Sequence, residues 1–565
     1  MQEDASKEIQ SQRFLTWPRL LTLAAVYCLV ALLFRPASLL DVVSSGDDTS
    51  YISHAFTIAL DFDLRYQNEP VFRPDAGHYL APNGLVPAHP IGPGLMAAPF
   101  VAFFSIFDHI ADNPIIRDHA NYPGSWSLFG FFIAAASWFL FGAWLYMDAL
   151  EAIGAKTSRW TILLFASGIG LPYYILVRPT MGHAFEFASV ALVFWGAIRV
   201  MVPGKLNRAI PEICIAIGML LTMLVRMADA NILLLPIIVW GLLLLCRRAD
   251  WPGLTFRYDG LVSLIAAAVA LSILISFSIA LYGVPIPGIG ATYGYVSFFT
   301  IPSGGPLGIA WEGLCNLPLL WPLLTTSQFG LIYSAPILPA GALAIGLILA
   351  NHRTQRKLMA AVTFVACAIY VAIPLSTVLI LKTTGTSYGY RYLFDLLPIC
   401  LLGTVLFLND PAHGRTAKVA RPVLVLLSLW SLIAMMFIDT NSELTSRRSA
   451  NAFGQLDSLS MVGYETALAK VIVTPRGWLN MAARRLPGFV AVRFTAAGSD
   501  IIRAGAPSKA QNTINRIRRV RSSFFYAIML FWLFYPLCLA FLCDDVFRNR
   551  AFNLLGRRLP TKNLN

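Results

Sequence analysis

The chain has 565 residues, of which 57% are hydrophobic and only 13% charged, and its mean hydropathy is +0.64. No soluble core hides that much apolar surface, so the soluble globular classes are excluded. The net charge of +13 implies no nucleic acid, because much of it falls in short connections between apolar segments, where membrane orientation rules place Lys and Arg.

Apolar segments of bilayer-spanning length recur along the chain. The expected spans are 20–40, 125–147, 161–177, 184–202, 211–226, 231–246, 260–282, 329–350, 358–381, 392–408, 422–438 and 523–543, twelve in all. The first is too long for a cleavable leader and lacks a small-residue cleavage site after it, so it reads as a signal anchor. Lys7, Arg13 and Arg19 precede it. Alternate connections then carry Lys156 and Arg159; Lys205 and Arg208; Arg247, Arg248 and Arg257; Arg353, Arg356 and Lys357; Arg415, Lys418 and Arg421. That alternation puts both termini in the cytoplasm and the acidic loop after the first span outside. The expected layout is a cytoplasmic N-terminus (1–19), a transmembrane module (20–438), a basic extracytoplasmic region (439–522), a last span (523–543) and a basic cytoplasmic tail (544–565). Seven of the eight cysteines lie in or beside apolar runs, Cys315 being the exception, and none shows metal-ligand spacing. They read as small core residues rather than a disulfide framework.

Residues 41–124 form the first outer loop, too long for a mere connector. It opens with Asp47, Asp48, Tyr51 and His54, and Asp61, Asp63 and Glu69 follow. Carboxylates beside lipid cost a few kcal/mol each unless paired or wet, which marks them as functional candidates; helix capping is the competing reading. Ser50–Leu60 suits a short amphipathic helix capped by Asp48 or Thr49. Leu95–Phe107, flanked by Pro and Gly and short for a span, is expected to lie at the membrane interface. Five of the eight histidines (His54, His78, His89, His109 and His119) fall in this loop. They show no His-x-x-His pair, so solvated or substrate-contacting roles are favoured over metal ligation.

The next outward turn, Arg178 to Glu186, carries His183 three residues before Glu186, a spacing that suits either capping or a site. Arg226 and Asp229 stand at i,i+3 spacing for a mutual pair. Residues 283–328 form a second outer segment rich in Gly, Pro, Tyr and Trp. The connection from Lys382 to Pro398 interleaves Lys382 and Arg391 with Tyr388, Tyr390 and Tyr392. Cations and phenols together suit a phosphate, and they equally suit interfacial anchoring. Basic residues with Trp478, Leu479 and Phe489 in 439–522 suggest a membrane-surface element or a solvated domain.

Gly46-Asp47-Asp48-x-x-Tyr51 followed by Asp61-Phe62-Asp63-Leu64 resembles the first-loop signature of the GT-C superfamily. Those are polytopic glycosyltransferases fed by polyprenyl-phosphate sugars, among them aminoarabinose transferases and protein O-mannosyltransferases. The His183 turn, the Ser327-Gln328-Phe329-Gly330-Leu331 stretch (with Gln328 where Arg is common) and Gly389-x-Arg391-x-x-x-Asp395-x-x-Pro398 resemble further motifs of that superfamily, in the same order. The resemblance covers approximately residues 20–410. It implies an all-α polytopic fold of about twelve transmembrane helices, with interfacial helices in the first extracytoplasmic loop. It also implies inverting transfer of a sugar to an extracytoplasmic glycan, lipid or protein acceptor, at the outer face of an inner (plasma) membrane. Asp47 matches the general base and Asp48 its companion. Tyr51, His54, Asp63, His89, His183, Arg226, Lys382, Tyr388, Tyr390, Arg391 and Asp395 are the candidate substrate-binding residues. A divalent metal cation is used by some members and not by others, and Asp48 is the ligand candidate. The rival reading is a transporter or flippase of lipid-linked or anionic solutes, which predicts internal repeats and charged mid-membrane helices; the sequence shows no such repeat. A non-catalytic assembly subunit is the third reading.

Overall fold

The computed structural model describes residues 46–67, 69, 78–81, 84–87, 89–110, 126–153, 155, 157–168, 174–175, 179–201, 209–226, 260–283, 315, 335–350 and 397–440. The expected spans at 20–40, 231–246, 358–381 and 523–543, the Lys382–Pro398 connection up to residue 396 and the basic region after 440 lie outside the described residues. Helix dominates what is described: α1 (Gly46–Phe56), α2 (Gly92–Ile110), α3 (Trp126–Ala152), α4 (Arg159–Ser167), α5 (His183–Met201), α6 (Ala209–Val225), α7 (Gly260–Tyr282), α8 (Ile337–Ala350), α9 (Leu397–Leu408) and α10 (Gly414–Thr440). Three of them, α2, α3 and α5, are long and apolar enough to cross a membrane, and shorter apolar helices accompany them. The molecule is a helical membrane protein.

Two expectations for the first outer loop are corrected. The short helix begins at Gly46, not Ser50, so Asp47, Asp48 and Thr49 lie inside its first turn instead of capping it. Negative side chains are favoured there by the helix dipole. After Phe56 the helix widens into a π-turn, Thr57–Asp61, and stops where Phe62 adopts the left-handed conformation (φ 57°). The second correction concerns 95–107. Helix α2 takes in Gly92, Pro93 and Gly94 at its start, where Pro fits because its missing N–H has no intrahelical partner, and runs for 19 residues. By length and composition it is long enough to cross a membrane.

Between α1 and α2 runs a hairpin that hydrophobic patterning did not reveal: β1 (His78–Ala81) pairs antiparallel with β2 (Gly84–Pro87), His78 opposite Pro87 and Ala81 opposite Gly84. Pro87, lacking a donor, stands at the strand end, where proline is tolerated.

Helix packing sets the direction of each segment. The α2–α3 pair is antiparallel: Asp108 near the end of α2 is fully buried and accepts from the backbone N–H groups of Trp126 and Ser127 and from the Ser127 hydroxyl. That carboxylate satisfies donors that every helix start leaves open. Farther along, Trp138 donates to the Met96 carbonyl. Helices α3 and α5 run parallel, with Phe131 against Phe185, Tyr146 stacked on Phe194, and Asp148 accepting from both Trp195 and Arg199. Parallel neighbours require the chain to return between them. Its return includes α4, which ends at Ser167 rather than continuing to 177. Gly168 caps α4 and packs against Ser428 of α10, 3.1 Å from where a Cβ would stand. Helix α6 packs antiparallel on α5 through Gly196 and Gly218, each of which would push a Cβ into the facing helix. Small residues let apolar helices approach closely where lipid supplies no hydrophobic drive between them.

The far end of α2 exposes Phe103, Ile106, Phe107 and Ile110. There Phe103, Phe104 and Phe107 make ring contacts with one another, and Trp126 and Phe129 of α3 join them, an aromatic surface at home at a lipid interface.

Candidate active site

Four pieces of chain meet at one end of the α5–α6 pair. Helix α1 brings Ser50, Tyr51 and His54, which lie one to two turns beyond Asp47 on one stripe of the helix. The turn entering α2 brings His89 and the Gly92–Gly94 run. The turn before α5 brings Gly182 and His183, and the end of α6 brings Arg226. Three glycines allow this convergence. A Cβ on Gly92 would stand 2.4 Å from the Leu224 carbonyl carbon, and one on Gly94 would stand 2.4 Å from the His54 Cβ. One on Gly182 would stand 3.1 Å from Pro93 Cγ and 3.5 Å from the Tyr51 hydroxyl.

Beneath the site lies a buried hydrogen-bond lock. His54 is completely buried. Its Nε2 lies 2.9 Å from the His89 carbonyl oxygen and its Nδ1 lies 2.7 Å from the Tyr66 hydroxyl. A carbonyl only accepts, so Nε2 carries the proton and Tyr66 donates to Nδ1. Burial drives the His54 pKa down to about 4; the hydrogen bond to His89 opposes this and the His89 ring adds to it. Burial likewise pushes the Tyr66 phenol far above its usual range, with Tyr282, Glu69 and Asp63 adding to the shift. The His89 carbonyl accepts a second bond, from the Tyr282 hydroxyl at 3.2 Å, which ties the loop to the end of α7. So held, the His89 ring lies 3.0 Å (Nδ1) from the Ser50 hydroxyl and packs edge-on against Tyr51 at 5.5 Å.

The second cluster is ionic. Glu186 is buried at 1% exposure and its two carboxylate oxygens face different partners. Oε2 lies 2.8 Å from His183 Nδ1, and Oε1 accepts from Arg226 Nη1 at 2.7 Å. The Tyr174 ring stands edge-on to His183 at 4.5 Å. A buried carboxylate is tolerated when charged hydrogen bonds use its oxygens, as both are used here.

Of the sequence candidates, Tyr51, His89, His183 and Arg226 come together at this junction, with position 47 on the Tyr51 stripe. His54 lies below them as a support. Asp63 stands apart at the exit of the π-turn, where its Oδ1 lies 2.9 Å from the Thr57 hydroxyl and accepts from the Arg65 N–H at 2.9 Å. The side chains of Asp47 and Asp48, and all of Lys382, Tyr388, Tyr390, Arg391 and Asp395, lie outside the described residues. Arg226 is engaged by Glu186, a partner 40 positions away that the local i,i+3 spacing with Asp229 did not indicate. Glu186, Tyr66 and Tyr282 are the residues that sequence reasoning left out of the site. For Glu186 the signal was present, as an acid inside an apolar helix.

The side chains described here offer no ligand set for a divalent metal. Among the described residues no group of three or more His, Cys, Asp or Glu is placed to hold one. The imidazoles nearest to α1 are already bonded to Tyr66, Ser50 and a carbonyl. No family model, curated protein or solved structure matches the chain, so the meaning of this junction rests on its own residues.

Proposed function

We propose that the protein is an integral-membrane glycosyltransferase of the GT-C kind, moving a sugar from a polyprenyl-phosphate donor to a glycan, lipid or protein acceptor outside an inner (plasma) membrane. The observation that carries this reading is the junction itself. The helix that opens with Asp47 and Asp48 lays its Tyr51 against the Gly182 turn, beside the His183–Glu186–Arg226 cluster. An acid pair at the start of one helix, and an arginine and a histidine on the elements beside it, are the parts that such chemistry draws on.

An acceptor hydroxyl is a weak nucleophile at neutral pH and needs a carboxylate to take its proton. Asp47 fills that role, with Asp48 orienting it. Attack at the anomeric carbon passes through an oxocarbenium-like state with inversion. The polyprenyl phosphate leaves with growing negative charge, which fixed donors stabilise. Arg391 and Lys382, with Tyr388, Tyr390 and Asp395 beside them, are the further candidates for that face. Tyr51 and His89 line the acceptor side.

The test is donor turnover in native membranes, comparing wild type with Asp47→Asn on radiolabelled polyprenyl-phosphate sugars. Loss of a general base lowers kcat by about 100-fold or more. Unchanged turnover by Asp47→Asn removes the base from its role. A wild type inactive on every donor favours the transporter reading.

A further inference from the structure

At the end of the helix packing farthest from the candidate active site, α10 begins with three cations. Helix α5 starts at the site with His183 and runs 19 residues, about 28 Å, to its other end. There Arg199 donates to Asp148 of the parallel helix α3. Helix α3 ends at Ala152, and shortly after it the Thr157 hydroxyl accepts from the Asn409 side chain at 2.8 Å. That bond ties the entry to α4 to the α9–α10 corner, so the first turns of α10 stand at this same end. Arg415, Lys418 and Arg421 occupy those turns at successive i,i+3 steps, and all three are exposed. Among the described residues no acid pairs with any of them. The acid nearest in sequence, Asp410, is buried, accepts from the Ala412 N–H and lies 3.2 Å from His413 Nδ1.

The same face turns apolar farther along. Val419, Pro422 and Leu426 follow Arg415 at steps of four, three and four, the spacing of one helical stripe. Val419 and Leu426 are 68% and 63% exposed, and Val423 is exposed beside them. The opposite stripe, with Ala417, Leu424, Ser428 and Leu432, is buried in the protein. Pro422 marks the depth of the change. It stands inside the helix and offers no N–H to the Lys418 carbonyl, a group that hydrocarbon would leave unsatisfied at a cost. The first turns of α10 therefore belong in the headgroup layer, and the stripe beyond Pro422 in the acyl region.

We propose that Arg415, Lys418 and Arg421 form a binding site for the phosphate of an anionic phospholipid, in the leaflet opposite the candidate active site, with Val419, Val423 and Leu426 against its acyl chains. The guanidiniums supply paired N–H donors to phosphate oxygens, and the long side chains reach from the helix to the headgroup. A headgroup with net negative charge answers all three cations, whereas a zwitterionic one carries its own cation and gains less. A soluble polyanion would meet the cations and leave the apolar stripe uncovered.

The experiment uses the full-length protein in detergent, with native mass spectrometry counting bound lipid from equimolar phosphatidylglycerol and phosphatidylcholine of one chain length. Wild type is expected to hold phosphatidylglycerol about tenfold over phosphatidylcholine, each cation contributing up to about fivefold. The triple variant Arg415→Gln, Lys418→Gln, Arg421→Gln takes up the two lipids equally, and the charge-keeping pair Arg415→Lys, Arg421→Lys retains the preference. Phosphatidylglycerol also raises the thermal unfolding midpoint of wild type and leaves that of the triple variant unmoved. Equal uptake of both lipids by wild type overturns the proposal, and so does a triple variant with the wild-type preference. Displacement of the bound lipid by millimolar inorganic phosphate overturns it in favour of a free-anion site. Should the triple variant not fold, Lys418→Gln carries the test: its preference is expected to fall about threefold, and an unchanged preference overturns the assignment.

Discussion

Protonation of His54 should open the first outer loop. The ring is fully buried with both nitrogens bonded, and its pKa falls from the usual 6.5 to about 4. The folded form resists protonation that the opened form accepts, so stability is fully present above about pH 6.5 and is lost as pH falls toward 4. At 1.36 kcal/mol per pH unit the whole effect is about 3 kcal/mol, and about 2 kcal/mol of it is lost between pH 7 and pH 5. That is about a 30-fold rise in the opening equilibrium. Amide hydrogen exchange, corrected for the intrinsic pH dependence of the chemical step, reads it directly in the peptides spanning 50–66 and 86–91. His54→Gln, whose amide both donates to the His89 carbonyl and accepts from Tyr66, is expected to remove the pH dependence while keeping the loop closed at pH 7. If wild type and His54→Gln lose protection in parallel as pH falls, the titrating group is not His54 and the reasoning fails.

Two further residues hold the frame around the site. Gly92→Ala places a Cβ 2.4 Å from the Leu224 carbonyl carbon and the Val225 nitrogen. Backbone, not a flexible side chain, must then give way, and a loss of about 1–3 kcal/mol is expected; thermal unfolding in detergent checks it, and an unshifted midpoint would sink the close-approach argument. Asp108→Ala removes the carboxylate that accepts from Trp126 N–H, Ser127 N–H and the Ser127 hydroxyl. Uncapping α3 in this way is expected to cost about 2 kcal/mol and to speed exchange of the first α3 amides, with Asp108→Asn losing less.

The membrane class and the approximate positions of α3, α5, α6, α7, α9 and α10 were legible in the chain. Each is written in runs of neighbouring residues, because hydrophobic length and helix-breaking Gly and Pro act locally. Other features were not legible for the same reason. The start of α1 at Gly46 turns on whether two acids cap a helix or enter it, and either suits the dipole. The length of α2 was understated because its Gly and Pro residues read as punctuation, whereas packing against Leu224 and His54 makes that small-residue run a helix start. The early end of α4 at Gly168 depends on Ser428, 260 positions away.

What the sequence determined by itself is therefore an apolar helical chain with acids, histidines and arginines gathered in its polar connections. Only the tertiary structure decided which of these meet. Arg226 pairs with Glu186 across 40 positions, His54 with the His89 carbonyl across 35, and Tyr282 with the same carbonyl across 193. Hydrogen bonds and ion pairs act over about 3 Å in space regardless of separation along the chain. A local pattern can nominate the partners, and the folded packing of the helices selects them.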